Sequence, residues 1–220
     1  MSAIIFDLDG TLVDSAPDIH DAVNIMLREI GYQEIELNIV KSFIGNGIAK
    51  LVERVMRHVK IDFTPELHKD LVKKFTLHYS LNPATKTKTY QGVIEVLSTL
   101  KASGFKMGIC TNKAHHLTLQ VVKNLNLEQY FDSVIGGDSL STSKPDPLML
   151  NASISDLGQS KAIFIGDSEI DGATATAANV PFILFTSGYL KAPMKEVKHV
   201  ASFKDYSELL DILKPIFEWK

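Results

Sequence analysis

An apolar run that stops at a pair of acids constrains this chain more than any other feature. Ile4-Ile5-Phe6 is followed at once by Asp7-Leu8-Asp9-Gly10-Thr11-Leu12-Val13-Asp14-Ser15. A run of β-formers that ends in acids and a glycine reads as a buried strand stopping at a crevice. Residues i and i+2 of a strand lie on one face, so Asp7 and Asp9 leave the strand end on the same side. Two carboxylates that close repel, and one shifts towards its neutral form unless a cation intervenes. Gly10 lets the chain turn sharply behind them. In open α/β sheets, ligands bind outside the carboxyl ends of the strands. Taken alone, the stretch also fits a solvated acidic turn.

Beyond Ser15 the apolar period becomes helical. Ile19, Val23, Met26, Leu27 and Ile30 recur at spacings of three and four before Gly31, and Leu51, Val52, Val55, Met56 and Val59 do so again. Thr64-Pro65-Glu66 is a helix start, with a capping hydroxyl and proline at the first helical position. No strand is expected between residues 16 and 85, and the polar stretch 82–89 reads as a linker. From there strands expected at 106–110, 133–136, 162–166 and 181–185 alternate with helices, the last over 209–217. Such alternation predicts an α/β fold, a doubly wound parallel sheet with right-handed crossovers. The simplest topology places residues 1–15 and 86–220 in that α/β core and residues 16–85 in an inserted all-helical cap.

Composition excludes several classes. The net charge of −3 and pI of about 6.2 leave no basic excess for nucleic acid. Cys110 is the one cysteine, so no intrachain disulfide and no oxidising compartment are implied. Asp7 interrupts the N-terminal apolar run, which therefore does not read as a signal peptide. No stretch of ~18 apolar residues suggests a membrane span. The expectation is a cytoplasmic monomer or homodimer with a small-molecule partner.

Four expected strand ends carry unusual residues. They are Asp7 and Asp9; Thr111-Asn112-Lys113; Lys144-Pro145-Asp146-Pro147; and Gly166-Asp167-Ser168-Glu169-Ile170-Asp171. A parallel sheet brings all four to one edge. Oxygen-only acidic clusters suit a hard cation, and Mg²⁺ keeps several waters, so it needs few protein ligands. Phosphoryl transfer needs a nucleophile, charge neutralisation and an acid for the leaving group. Asp7 can be that nucleophile, Asp9 the acid and later base, and Asp167 part of a Mg²⁺ site. Lys144 can pair with phosphate and nucleophile, and the Thr111 hydroxyl can hold a phosphate oxygen. Asp171 also fits a charge complementing a helix N-terminus. His115 and His116 read as surface residues, and Lys191, Lys195 and Lys198 as a solvated face.

These four stretches, in order and with suitable spacing, resemble the four motifs of the haloacid dehalogenase-like superfamily over the whole chain. The resemblance implies a Rossmann-like core with Asp7 as nucleophile and Asp9 as acid/base. It also implies phosphate held by Thr111, Asn112 and Lys144, and Mg²⁺ held by Asp7, the Asp9 carbonyl and Asp167. Asp171 would support them, partnering Lys144. Thr111-Asn112-Lys113, Val134-Ile135-Gly136-Gly137-Asp138, Lys144-Pro145-Asp146-Pro147-Leu148 and Ile44-Gly45-Asn46-Gly47 are similar to bacterial phosphoglycolate phosphatases; so, more weakly, is Thr186-Ser187-Gly188-Tyr189. The implied substrate is 2-phosphoglycolate. Gly45, Asn46 and Gly47 would form the specificity loop. Asn46 stands where many such phosphatases carry a basic residue, which suggests modest activity on that substrate. Asn179 stands where a glycine is usual. Competing readings are a phosphatase for a nucleotide, pyrophosphate or sugar phosphate, a β-phosphoglucomutase-like phosphotransferase, and a phospho-acceptor signalling module. The helical insertion and the spacing of Asp7 and Asp9 argue against the last.

Overall fold

The computed structural model describes residues 3–217. Strand β1 (Ala3–Phe6) leads into a short β2 (Val13–Asp14). Four helices follow: α1 (Ala16–Glu29), α2 (Leu37–Phe43), α3 (Gly47–His58) and α4 (Pro65–Leu81). Next come β3 (Lys88–Thr89), α5 (Val93–Ala102), β4 (Lys106–Cys110), α6 (His115–Asn124), β5 (Ser133–Ile135), α7 (Leu148–Asp156) and β6 (Ala162–Gly166). The chain continues through α8 (Glu169–Ala177), β7 (Phe182–Phe185), β8 (Ala201–Phe203) and α9 (Leu209–Phe217).

Six strands form one parallel sheet in the order β5-β4-β1-β6-β7-β8. The uninterrupted apolar character of β1 follows from its central place, because both faces are covered. Ile4 and Phe6 enter a core with Ile109, Ile165, Leu97 and Leu213 on one side. Ala3 and Ile5 enter another with Phe164, Leu150 and Ala175 on the other side. The alternation is the period of two that a strand imposes. Helices α1–α4 bury a third cluster, including Val23, Leu27, Val52, Val55 and Phe75. Leu117 and Tyr189 join it from the sheet side.

Local chemistry sets several element ends. Thr64 Oγ1 accepts from the Leu67 backbone N–H at 3.2 Å at the start of α4, as its hydroxyl and the following proline require. Asn179 follows α8 with φ of +53°, the left-handed conformation that asparagine tolerates better than most residues. It therefore takes up the kind of conformation for which glycine is the usual choice. Three elements differ from the sequence expectation. Residues 88–89 are not simply linker: they pair antiparallel with Val13–Asp14, Val13 facing Thr89 and Asp14 facing Lys88. Buried Asp18 fastens the same stretch to α1, accepting from the backbone N–H groups of Lys86 (2.9 Å) and Thr87 (2.7 Å) and from Thr87 Oγ1 (2.6 Å). The short helix α2 and edge strand β8 are also additional; each has too few residues to show a period.

Candidate active site

Strands β1, β4 and β6 are neighbours, with Phe6 in register with Ile109 and Ile165. Asp7, Thr111 and Asp167 therefore emerge from adjacent strand ends within one residue of the same level. The Asp7 N–H donates to the Ile165 carbonyl at 2.9 Å, continuing the ladder one residue past the strand.

Asp7 is buried, and Lys144 Nζ donates to its Oδ1 at 2.7 Å. Among the described residues no protein donor reaches the other oxygen, Oδ2, and Asp7 lines a cavity. Lys144 also donates to Asp171 Oδ1 at 2.6 Å. Asp171 Oδ2 accepts from the Ser168 hydroxyl (2.5 Å) and backbone N–H (3.1 Å), while Ser168 Oγ accepts from the Asp171 N–H at 3.3 Å. This reciprocal cap starts α8, so both oxygens of Asp171 have protein donors. Thr11 Oγ1 donates to Asp167 Oδ1 at 2.9 Å, and the Tyr189 backbone N–H donates to Asp167 Oδ2. A Cβ at Gly188 would collide with the Gly10 carbonyl and the Asp167 side chain, so only glycine lets the Tyr189 loop close over Asp167. Gly10 itself has φ of +92°, which turns the chain between Asp9 and Thr11.

Electrostatics mark this cluster as under-neutralised. Burial, then the Asp171 and Asp9 charges, raise the Asp7 pKa from the usual 3.8 to about 6, against the pull of Lys144. Burial, then Asp171 and Asp7, push Asp167 well above the carboxylate range. Burial draws the Lys144 ammonium down, but Asp171 and Asp7 outweigh it and hold the group charged. Asp7, Asp9, Asp167 and Asp171 line the cavity against two ammonium groups, Lys113 and Lys144. Oxygens of Asp7, Asp167 and Asp171 lie within 4.8 Å of one another. Buried carboxylates at that spacing are a hard-cation donor set. Asp7 keeps one oxygen without a protein donor and Asp167 accepts only from neutral groups, so both fit the role better than Asp171, whose two oxygens are engaged, one of them by the Lys144 ammonium.

Of the residues linked above to phosphate, Thr111, Asn112 and Lys144 all line the cavity. The Thr111 hydroxyl accepts from the Lys113 N–H at 3.3 Å and keeps its own hydrogen to donate. Asn112 differs. Its amide nitrogen donates to the carbonyls of Gly45 (3.0 Å) and Lys144 (3.1 Å), and its Oδ1 accepts from the Lys144 N–H at 2.9 Å. Its side chain ties two loops together. Gly45 and Gly47 line the cavity, but Asn46 does not. The Asn46 Oδ1 accepts from Arg54 Nη2 at 2.7 Å, and Arg54 Nη1 donates to the Phe43 carbonyl at 2.7 Å. Lys191 is exposed, as expected of a solvated face, and its Nζ also donates to the Ile44 carbonyl, with partial burial lowering its pKa.

The sequence model of the family described as "Haloacid dehalogenase-like hydrolase" matches residues 4–185, spanning all four strand ends. The chain belongs to the haloacid dehalogenase-like hydrolases. A phosphoglycolate phosphatase of Cereibacter sphaeroides (strain ATCC 17029) is 43% identical over 216 residues, covering 97% of this chain and 98% of the relative. The phosphoglycolate phosphatase of Aquifex aeolicus is 35% identical over 193 residues, 87% of each chain. A crystal structure described as a predicted phosphoglycolate phosphatase from Haemophilus somnus 129pt superposes with a TM-score of 0.90. It is 29% identical, covering 97% of this chain and 98% of that one.

In this haloacid dehalogenase-like hydrolase the cavity has a volume of about 60 Å³. Its floor is the acidic strand-end cluster. The facing wall is apolar, with Ile19, Ile44, Ile48, Leu51, Phe75 and Leu117. Two polar groups stand at the boundary: sequence reasoning placed Lys113 at a strand end without a role and did not single out Tyr79. Lys113 Nζ donates to Asp9 Oδ1 (3.0 Å) and Oδ2 (3.1 Å) and to Tyr79 Oη (2.5 Å). Ser15 Oγ also donates to Asp9 Oδ1, at 2.6 Å. The signal available for Lys113 was its place two residues after Thr111; for Tyr79 there was none, since it shares the apolar face of α4. Tyr189 is a further tie. Its hydroxyl donates to Asp14 Oδ1 at 2.6 Å and accepts from the Ala16 N–H at 3.0 Å.

Proposed function

We propose that this protein is a Mg²⁺-dependent phosphatase that hydrolyses a small phosphate monoester, 2-phosphoglycolate, through an aspartyl-phosphate. The observation that carries the reading is the state of Asp7. One oxygen is fixed by Lys144, the other has no protein donor among the described residues, Asp7 lines the cavity, and Asp9 stands two residues away on the same strand end. That is the arrangement of a fixed nucleophile beside an acid. Residues 16–85 are read as the cap that closes over it.

In the first half-reaction Asp7 Oδ2 attacks phosphorus, the bond from phosphorus to the leaving oxygen breaks, and Asp9 delivers a proton to that oxygen. In the second, Asp9 takes a proton from water as the water oxygen attacks phosphorus, releasing inorganic phosphate and restoring the Asp7 carboxylate. Lys144 neutralises charge on the phosphoryl oxygens, helping most where that charge builds up. The Thr111 hydroxyl donates to one of those oxygens. Asp171 keeps Lys144 in place. Asp7, the Asp9 carbonyl and Asp167 would hold Mg²⁺, which supplies positive charge to the phosphoryl group when bound. The apolar facing wall limits water around the acyl phosphate and limits the size of the leaving group.

The test is phosphate release from 2-phosphoglycolate, pyrophosphate, a nucleoside monophosphate and glucose 6-phosphate, each with Mg²⁺ and with EDTA. The expected result is Mg²⁺-dependent release with the highest kcat/KM on 2-phosphoglycolate. Isomerisation of a sugar phosphate without net phosphate release would replace this reading with a phosphotransferase.

A further inference from the structure

Resting on the phosphatase reading above, the geometry points to Lys113 as the residue that recognises an anionic leaving group, with the Tyr79 hydroxyl as its co-donor. The ligand it selects is a phosphate ester whose leaving group is short and carries a carboxylate.

The argument starts from what the cavity offers. An unpaired carboxylate cannot enter an apolar pocket without a large desolvation penalty. The wall opposite Asp7 is aliphatic and aromatic, so any charge on the leaving group has few partners there. Asn46 is not one of them, because its side chain is held by Arg54 away from the cavity. Arg54 is itself engaged with the Phe43 carbonyl and does not line the cavity. Among the described residues, Lys113 and Lys144 are the cationic groups that do line it. Lys144 sits between Asp7 and Asp171, on the phosphoryl side.

Lys113 is placed differently. Its side chain is 3% exposed, and its ammonium bridges the sheet and the helices, from Asp9 to Tyr79 of α4. Burial draws that ammonium down, but Asp9 and Tyr79 outweigh it and keep it charged. Burial pushes the Tyr79 phenol up to about 12, so it keeps its proton. The Tyr79 oxygen accepts from Lys113, which leaves its own hydrogen to donate. An ammonium and a hydroxyl donor thus lie side by side at the edge of an apolar wall.

Distance then sets the substrate class. Asp9 must reach the leaving oxygen at hydrogen-bond distance, about 2.7 Å, and Lys113 Nζ lies 3.0 Å from Asp9. In a two-carbon leaving group the carboxylate carbon is two bonds of about 1.5 Å from the leaving oxygen. A donor that touches Asp9 therefore also reaches that carboxylate. On binding, Lys113 exchanges one Asp9 contact for the substrate, and Asp9 retains its Ser15 hydrogen bond. A longer leaving group would carry its charge past Lys113 into the apolar wall. The cation expected from position 46 is then supplied by position 113, from the sheet side of the cavity.

The experiment compares 2-phosphoglycolate with ethyl phosphate, which has the same carbon count and no carboxylate, in the Mg²⁺-loaded full chain. For the parent, Lys113→Met and Tyr79→Phe, kcat and KM are measured on both. Lys113→Met should lower the ratio of kcat/KM values, phosphoglycolate over ethyl phosphate, by roughly 10- to 100-fold, the range of one charge-assisted hydrogen bond. Most of that change should fall in KM for the carboxylated ester. Tyr79→Phe, which deletes one oxygen from a buried ring, should lower the same ratio several-fold and serves if Lys113→Met does not fold. A general loss of structure would reduce both substrates together and leave the ratio alone. A ratio unchanged within threefold in the folded variants, or a parent that turns over ethyl phosphate and not 2-phosphoglycolate, overturns the role of Lys113 and leaves the phosphatase reading standing. A parent inactive on both esters and on the wider substrate panel overturns the phosphatase reading itself.

Discussion

Replacing Asp7 by asparagine separates what this carboxylate does for chemistry from what it does to stability. The native pKa of Asp7 is raised from the usual 3.8 to about 6, chiefly by burial and then by the charges of Asp171 and Asp9. At about 1.4 kcal/mol per unit, the ionised side chain costs the metal-free fold about 3 kcal/mol at neutral pH. Asparagine has nearly the same shape, can still accept from Lys144 through Oδ1, and carries no charge. In a chelator at pH 7.5, Asp7→Asn should therefore unfold at a higher temperature than the parent. A chain of this length gains about 2–4 °C per kcal/mol, so the rise should be about 6–12 °C. The sign with pH follows from proton binding. Between the unfolded and native pKa values the native state binds more protons, so the parent loses stability as pH rises through that interval. The gap between variant and parent should be fully open above pH 6 and should close as pH falls towards 4. Saturating Mg²⁺ should shrink it, because ligand binding stabilises the parent by mass action. Turnover should fall by several orders of magnitude, as loss of a nucleophile does. The assay is thermal unfolding followed by circular dichroism, with EDTA and with Mg²⁺, across pH 4–8, beside phosphate release. A variant that melts at or below the parent in EDTA at pH 7.5, or a gap indifferent to pH, would refute the reasoning.

Asp167→Ala should weaken Mg²⁺ binding at least tenfold by isothermal titration calorimetry, with activity partly restored at high Mg²⁺. An unchanged affinity would remove Asp167 from the ligand set. Lys144→Met should leave Asp7 and Asp171 buried without their cation and lower stability by about 3–5 kcal/mol in urea titration, with turnover lost as well. A cost under about 1 kcal/mol would mean that the two carboxylates find other compensation.

Much of the site was legible because its residues sit at strand ends. Asp7, Thr111 and Asp167 each follow an apolar run that carries a period of two or complete burial, and a parallel sheet aligns such ends. Lys144 was legible as a residue but not as a contact. Only the fold shows that it reaches both Asp7 and Asp171. The role of Asp171 was split between helix cap and partner of Lys144, and it makes both contacts, one with each oxygen. The side-chain partners of Asn112, Asn46 and Lys191 were not legible, for a common reason. Side-chain amides and long cations choose partners within about 3 Å, and no local pattern names those partners: the Arg54 guanidinium for Asn46, and distant backbone carbonyls for Asn112 and Lys191. Gly45 is 67 residues from Asn112, and Ile44 is 147 from Lys191.

By itself the sequence determined the alternation of strands and helices, the helical insertion after the first strand, and the acids that leave β1. Those are local properties: side-chain period, capping residues and β-branched runs act within a few residues of chain. Tertiary structure alone decided how the helices meet the sheet edge. The pairing of Val13–Asp14 with Lys88–Thr89, the Asp18 clamp on residues 86–87 and the bridge from Asp9 through Lys113 to Tyr79 join segments that share no local pattern. Each is a handful of hydrogen bonds whose geometry exists only once the three apolar clusters have fixed where the backbones lie. The charge facing the leaving group belongs to the same class. Its place is set by where a buried lysine finds an acid and a phenol, and the glycine-flexed loop beside it carries no trace of that choice.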